Sequence, residues 1–377
     1  MPSRIYLDYN ATTPIHPQVA ATMSEALDGA FGNPSSAHWA GASAKAVVEN
    51  GRRKLADYFG GLPEEIVFTS GGSESNNLAI KGAYLPRRGT GNHIITSAIE
   101  HPATHAPCRF LEEYMDCRVT VLPVDSTGLV DPEDVRRAIT AKTVLISIMH
   151  ANNEVGTIQP IKKIAEIANE HEVLLHVDAA QSIGKIPAEI ESLGADLVSV
   201  AGHKFYAPKG VGALYIRRSV GLEPLIHGAS HELGRRAGTE SPVLAAAIGE
   251  AAAIARDLSN IPRIRALRDR LWLALQEQFG DRVVLNGHAE QRLPNTLNVS
   301  FLGRDGSEVL SQLHGVAAST GSACHTGQTQ MSPVLGAMGV PPEIGSGAVR
   351  FSLGSVTTAD EIDHVIECLT SLARQPI

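Results

Sequence analysis

From about residue 64 to residue 216 the chain alternates short apolar runs with stretches of helical periodicity. Runs at 65–69, 93–97, 119–124, 144–149, 173–177, 197–200 and 212–216 have the length and the turn-bounded edges of strands. Between them, 75–83, 102–116 and 161–170 repeat apolar residues at helical spacing. Such alternation predicts an α/β fold with a mostly parallel sheet covered by helices on both faces. The run Val144-Leu145-Ile146-Ser147-Ile148-Met149 is apolar almost throughout, as a strand buried on both faces should be. After about Ser241 the pattern changes. Helical stretches at 244–258 and 263–278 are followed by strand patterns at 296–301 and 348–353 and an amphipathic helix at 359–373. This second part reads as a smaller α+β unit, with no low-complexity linker and no internal repeat to separate it from the first.

Composition narrows the class. At 377 residues two structural units are expected, and 43% hydrophobic with 19% charged residues is ordinary for a globular chain. No apolar run is long enough to span a bilayer, so no membrane association is expected. The first residues lack the apolar core of a secretory signal, which makes a cytoplasmic location the default expectation. A net charge of −8 argues against a broad nucleic-acid footprint. The local exception, Arg263, Arg265, Arg268 and Arg270, is expected on the solvated face of a helix. The four cysteines, Cys108, Cys117, Cys324 and Cys368, form no C-x-x-C pair, so neither a zinc site nor any other metal site is expected.

Reactive residue types collect just after the expected strands. Gly71-Gly72-Ser73 follows the first, Glu100-His101 the second, and Asn152-Asn153-Glu154 the fourth. Asp178 and Gln181 follow the fifth, and His203-Lys204 the sixth. Ligands of open parallel sheets bind beyond these carboxyl ends. A lysine able to form an imine and a carboxylate able to hold a ring nitrogen protonated are what pyridoxal phosphate (PLP) needs from a protein. Gly71-Gly72-Ser73, opening a helix, is a candidate anion site, although a plain glycine turn has the same composition. Lys204 has an alternative as a surface lysine, Asp178 as a helix cap, and His101 as a core histidine. Gln181 is a candidate donor to the phenolic oxygen of the ring, and His101 a candidate for stacking on the ring and moving protons. Cys324 lies in Gly321-Ser322-Ala323-Cys324-His325, a segment almost without apolar bulk, which predicts an exposed and mobile nucleophile. The other three cysteines read as structural. Arg350 interrupts a strand pattern and is either an outward-facing charge or a clamp for a substrate carboxylate.

These motifs resemble those of the NifS/IscS-type cysteine desulfurases, PLP enzymes of the class V aminotransferase family. The resemblance runs from Tyr6-Leu7-Asp8-Tyr9-Asn10-Ala11-Thr12-Thr13-Pro14 to Arg350-Phe351-Ser352-Leu353-Gly354. Its most specific parts include Gly32-Asn33-Pro34-Ser35, His150-Ala151-Asn152-Asn153-Glu154, His176-Val177-Asp178, Gly202-His203-Lys204, Arg236-Ala237-Gly238-Thr239 and Gly321-Ser322-Ala323-Cys324. It implies the fold-type-I PLP-transferase architecture, with a large PLP-binding domain at 15–255. Residues 1–14 and 256–377 would form the small domain, carrying the cysteine loop at about 319–332. It implies Lys204 as the imine-forming lysine, Asp178 on the pyridine nitrogen, Gln181 on the ring oxygen and His101 stacked on the ring. Gly72, Ser73 and His203 would hold the phosphate, with Thr239 reaching in from the other subunit of a homodimer. Asn153 and Arg350 would bind the substrate carboxylate, and Cys324 would take the sulfur as a persulfide. Ala201 stands where many relatives have serine, and Ser73 where threonine is frequent.

The activity implied is conversion of L-cysteine to L-alanine. The sulfur would pass through Cys324 to an acceptor protein such as an iron–sulfur scaffold, or toward thio-cofactor synthesis. Lys204 would take the α-proton, and His101 would move a proton at sulfur. The Ala323-Cys324-His325 sequence is also similar to selenocysteine lyases of the same family, which makes selenocysteine the alternative substrate. A PLP aminotransferase and a non-catalytic sulfur-trafficking protein of the same fold are further alternatives. A dinucleotide-binding protein is disfavoured because Gly71-Gly72-Ser73 is not G-x-G-x-x-G.

Overall fold

The computed structural model describes residues 4–320 and 331–373. A two-residue strand, β1 (Ile5–Tyr6), precedes seven strands that form one sheet: β2 (Ile66–Thr69), β3 (His93–Ser97), β4 (Arg118–Leu122), β5 (Thr143–Met149), β6 (Leu174–Asp178), β7 (Leu197–Ala201) and β8 (Gly212–Ile216). Their spatial order is β2-β8-β7-β6-β5-β3-β4. All neighbours pair in parallel except β8, which is antiparallel to both β7 and β2. The carboxyl ends of β3, β5, β6 and β7 therefore open on one edge, where the reactive residues were expected. Four later strands complete the set: β9 (Val283–Asn286), β10 (Thr296–Phe301), β11 (Val316–Ala317) and β12 (Ala348–Ser352). The order β12-β10-β9 makes a small antiparallel sheet, and β11 pairs in parallel with β1.

Two helices escape a periodicity search, α1 (Pro17–Gly29) and α2 (Trp39–Phe59). Each is capped by a histidine: the Nδ1 of His16 accepts from the N–H of Gln18, and that of His38 from the N–H of Gly41. On its buried face α2 sets small residues (Ala44, Gly51 and Ala56) among the bulky Val48, Leu55, Tyr58 and Phe59. The reason is packing. A β-carbon on Gly51 would lie 2.2 Å from the carbonyl oxygen of Ala245, and one on Gly249 would lie 2.5 Å from the Gly51 α-carbon. The backbones of α2 and the helix Pro242–Ala255 thus run in direct contact. Next come α3 (Gly72–Tyr84) and α4 (Pro102–Tyr114), both leaving the functional edge of the sheet.

One core joins the large sheet to its helices, through residues such as Ile95, Ile146, Val177, Val200 and Ile248. A separate core joins β10 and β12 to the helices Ile261–Phe279 and Ala359–Ala373, and it includes Ile5 and Leu7. Residues 8–13 pass between the two. The N–H of Tyr9 bonds the Ser352 carbonyl, and the N–H of Thr13 bonds the His203 carbonyl. The arginine-rich face departs from expectation at one position. Arg268 is buried, giving its Nε–H to Asp269 at 2.7 Å and an Nη1–H to the Leu293 carbonyl, whereas Arg263, Arg265 and Arg270 are exposed. Cys108 and Cys117 are buried, and burial pushes both thiols up to about 12, as inert structural cysteines require.

Candidate active site

The glycines after β2 build a cradle. Gly71 caps α3 at φ 154° and ψ −179°, a conformation only glycine takes easily. A β-carbon on Gly72 would crowd that of Ala201 at 3.1 Å, and one on Gly212 would strike the Gly71 backbone at 2.7 Å. The start of α3 is thereby seated against the end of β7, with Gly72 in its first turn and Ser73 exposed beside it. The free N–H groups and the helix dipole suit a phosphate there. Glu74 accepts from the Ser70 N–H at 2.8 Å and pairs with Arg236 at 3.0 Å, tying residues 236–239 to the same turn. Thr239 is exposed and lines a recess with Ser70 and Gly210.

Lys204 follows β7 in a single helical turn, Gly202–Lys204. Its Nζ donates to the carbonyls of Asn10 and Ala11 at 2.7 and 2.8 Å. Burial, helped by the charge of Arg350 and opposed by Asp178 and Asp8, lowers its pKa to about 8. The amine is therefore partly neutral near physiological pH, as a nucleophile or base must be. Asp178 ends β6; its Oδ2 accepts from Asn76 Nδ2 at 2.7 Å and its Oδ1 from the Ala180 N–H at 2.9 Å. It makes no ion pair among the described residues, although it is buried. A buried carboxylate held by neutral donors suits a protonated ring nitrogen.

His101 caps α4 and stands at the rim of the site, its Nδ1 accepting from the Ala103 N–H at 3.1 Å. The neutral ring then carries its proton on Nε2. Partial burial lowers its pKa, the Asp178 charge raises it and the Lys204 charge lowers it. His203 lies 3.2 Å from Thr12 Oγ1 through Nδ1; burial, Lys204 and Lys209 hold it neutral, with a pKa of about 4. Beneath His101, Glu100 is fully buried, accepting from Ser97 Oγ at 2.5 Å and the Met149 N–H at 3.0 Å.

Arg350 is buried in β12 rather than facing outward. Its Nη1 donates to the Asn153 carbonyl at 2.9 Å, and its Nη2 pairs with Asp8 at 2.6 Å. Asn153 itself is half-buried. The guanidinium thus already holds one carboxylate, and a substrate carboxylate would have to join or displace Asp8. Cys324 lies outside the described residues. On its two sides, the Ser319 backbone bonds that of Arg350, and Ser332 Oγ donates to buried Glu154. Both anchors flank Asn153.

Two residues missed in the sequence organise the site. The carbonyl of Asn10 receives both Lys204 and Gln181 Nε2, the latter at 3.0 Å, while its Nδ2 donates to Asn153 O and Thr296 Oγ1. Lys185 Nζ donates to Gln181 Oε1 at 2.7 Å. Asn10 was visible only as part of a motif, and Lys185 had no distinguishing local pattern.

A strand-end lysine within electrostatic reach of a carboxylate that has no ion pair among the described residues, beside a helix-start anion cradle, defines the site of a fold-type-I PLP enzyme, and the residues present fit that cofactor. A model of the class-V aminotransferases matches residues 5–365. The cysteine desulfurase IscS of Dictyoglomus turgidum is 45% identical over 373 residues, covering 98% of this chain and 94% of its own. Among solved structures, a NifS-like protein superposes with a TM-score of 0.91 at 38% identity, over 98% of this chain and 99% of that one. SspA, solved in complex with cysteine, gives a TM-score of 0.84 at 36% identity, over 94% of this chain and all of its own. The chain belongs to the class-V aminotransferase family of PLP-dependent enzymes. Within that family, these full-length matches place it beside the cysteine desulfurases.

Proposed function

We propose that the protein is a cysteine desulfurase that converts L-cysteine to L-alanine and passes the sulfur, as a persulfide on Cys324, to an acceptor protein. The observation that carries this is the Lys204 amine, lowered to about 8 and held by two backbone carbonyls across from Asp178, in a chain whose nearly full-length relatives are cysteine desulfurases. Those relatives favour this activity over selenocysteine cleavage and over transamination.

PLP held in this site would supply an electron sink for negative charge developing at the substrate α-carbon. Asp178 would keep a ring nitrogen protonated. Gly72, Ser73 and His203 would receive the phosphate: the α3 start supplies N–H groups and neutral His203 one more donor. Thr239 of a second subunit would complete that set. Gln181 would donate to the ring oxygen. Arg350 and Asn153 would hold the substrate carboxylate. Lys204 would accept the α-proton, and His101, with its proton on Nε2, would exchange a proton at sulfur. The Cys324 thiolate would attack the substrate sulfur; the Cβ–S bond would break with its electron pair staying on Cβ, which takes up a proton on the way to alanine, and the sulfur would remain on Cys324 as a persulfide. A cytoplasmic location and an iron–sulfur scaffold as acceptor agree with this chemistry. No helix among the described residues is long and apolar enough to cross a membrane.

The test is product analysis with L-cysteine. Wild-type protein should yield alanine, with sulfide in equal amount when a thiol reductant is present. Cys324→Ser should keep the visible cofactor absorption and lose at least about a hundredfold in turnover. An oxo acid as product would identify an aminotransferase instead, and normal desulfuration by the serine variant would remove Cys324 from the pathway.

A further inference from the structure

Lys185 stands in no role assigned so far. Its amine is enclosed in the wall of the site, and its side chain lines a cavity of about 200 Å³ together with Lys204, Tyr9, Tyr206 and Leu353. It forms no ion pair among the described residues. Its partners are neutral: Gln181 Oε1 at 2.7 Å and, more distantly, Asn10 Oδ1 at 3.4 Å. The nearby charges acting on it, Lys204 and Arg350, share its sign. A buried amine without a counter-ion is unfavourable, and burial lowers its pKa to about 7.

The one thing this amine does well is fix the neighbouring amide. Charged, the amine can only donate, so Gln181 must turn its oxygen toward it; neutral, it still donates to that oxygen while the Asn10 carbonyl holds Gln181 Nε2 on the other side. That leaves Gln181 Nε2 toward the carbonyl of Asn10, the same oxygen that receives Lys204. Reversing the amide would set donor against donor at Lys185 and acceptor against acceptor at Asn10. One Nε2–H is used by Asn10, and the second is free to face the cofactor side.

We infer that Lys185 is a positioning residue, which acts through Gln181 by locking its amide so that an N–H faces the phenolic oxygen of PLP. This rests on the PLP reading of the site. A donor at that oxygen favours its full negative charge, so losing it moves the pH midpoint of the visible absorption upward.

The experiment is a pH titration of that absorption in the holoenzyme. Lys185→Met and Gln181→Ala should each shift the midpoint upward by about one pH unit, the size of one charge-assisted hydrogen bond. The double variant should shift it no further, because both changes remove the same contact. Lys185→Arg, which still donates, should stay near wild type. A Lys185→Met midpoint equal to wild type, or a double variant showing the sum of two shifts, overturns the inference. Neutron diffraction from cofactor-free wild type needs no variant: deuterium on Gln181 Nε2 should point at the Asn10 carbonyl, and a reversed amide overturns the inference. A wild-type protein with no visible band refutes the PLP reading itself, whereas a normal wild-type band with an unmoved Lys185→Met refutes only the role of Lys185.

Discussion

At the residue scale, burial decides which groups carry charge. Lys204 and His203 are both pushed toward neutrality beside one another, so the amine is reactive without a hydroxide-rich medium. Glu100 gives the clearest consequence for stability. Its Oε2 has no partner, and burial, with help from the Asp178 charge, raises its pKa from 4.5 to about 8. Below pH 4.5 it is protonated in folded and unfolded chains alike. Between about 4.5 and 8 the folded state keeps the proton and the unfolded state releases it, so stability falls as pH rises through that window. Glu100→Gln should remove this slope. In urea denaturation of cofactor-free protein, the variant should match wild type near pH 4.5 and exceed it by roughly 1–3 kcal/mol at pH 7. Equal slopes for the two proteins would show that Glu100 does not titrate in this range.

At the element scale, strands were legible and helix partners less so. The strand runs matched because a strand buried on both faces needs an unbroken apolar string, visible in any window. The bounds 93–97, 212–216 and 296–301 recur unchanged in the structure. The helix expected at 102–116 ends at Tyr114, just before Asp116 takes a positive φ of 52°. By contrast α2 interrupts its apolar face with glycine and alanine, which let another helix approach at Gly51. Gly51→Ala offers a direct measure. Helix propensity alone would favour alanine by about 1 kcal/mol. The new methyl would lie 2.2 Å from the Ala245 carbonyl, so the two helices must separate. A net loss of about 1–3 kcal/mol is expected from denaturation midpoints. A stabilised variant would mean that the helices part without loss.

At the scale of the whole molecule, one chain leaves apolar surface uncovered. Phe31 is 74% exposed and Trp39 78%, their rings edge-to-face at 5.9 Å, and Leu233 is 72% exposed. Leu233 lines a recess with Pro34 and Ser35, which follow Phe31 closely. Surface of this kind commonly marks an interface. It is the kind of surface that the proposed homodimer, in which Thr239 would serve the other subunit, would cover. Sedimentation equilibrium should show a wild-type dimer that Trp39→Asp weakens at least tenfold, with cofactor affinity falling in step. A monomeric wild type that binds PLP fully would exclude any need for Thr239 of a second subunit.

The sequence by itself determined where the candidate chemistry lies along the chain. Lys204, Asp178 and the Gly71-Gly72-Ser73 cradle are legible because each directly adjoins a strand end, and neighbours in the chain stay neighbours in space. Only the tertiary structure decided how those groups are supported. Asn10 meets Lys204 across 194 residues, and Arg350 meets Asp8 across 342. Whether Arg350 faces solvent or a carboxylate, and which way the Gln181 amide turns, depends on what packing brings against each side chain. No local pattern records such contacts, because they join residues far apart in the chain that only the packed fold brings together around residues 8–13.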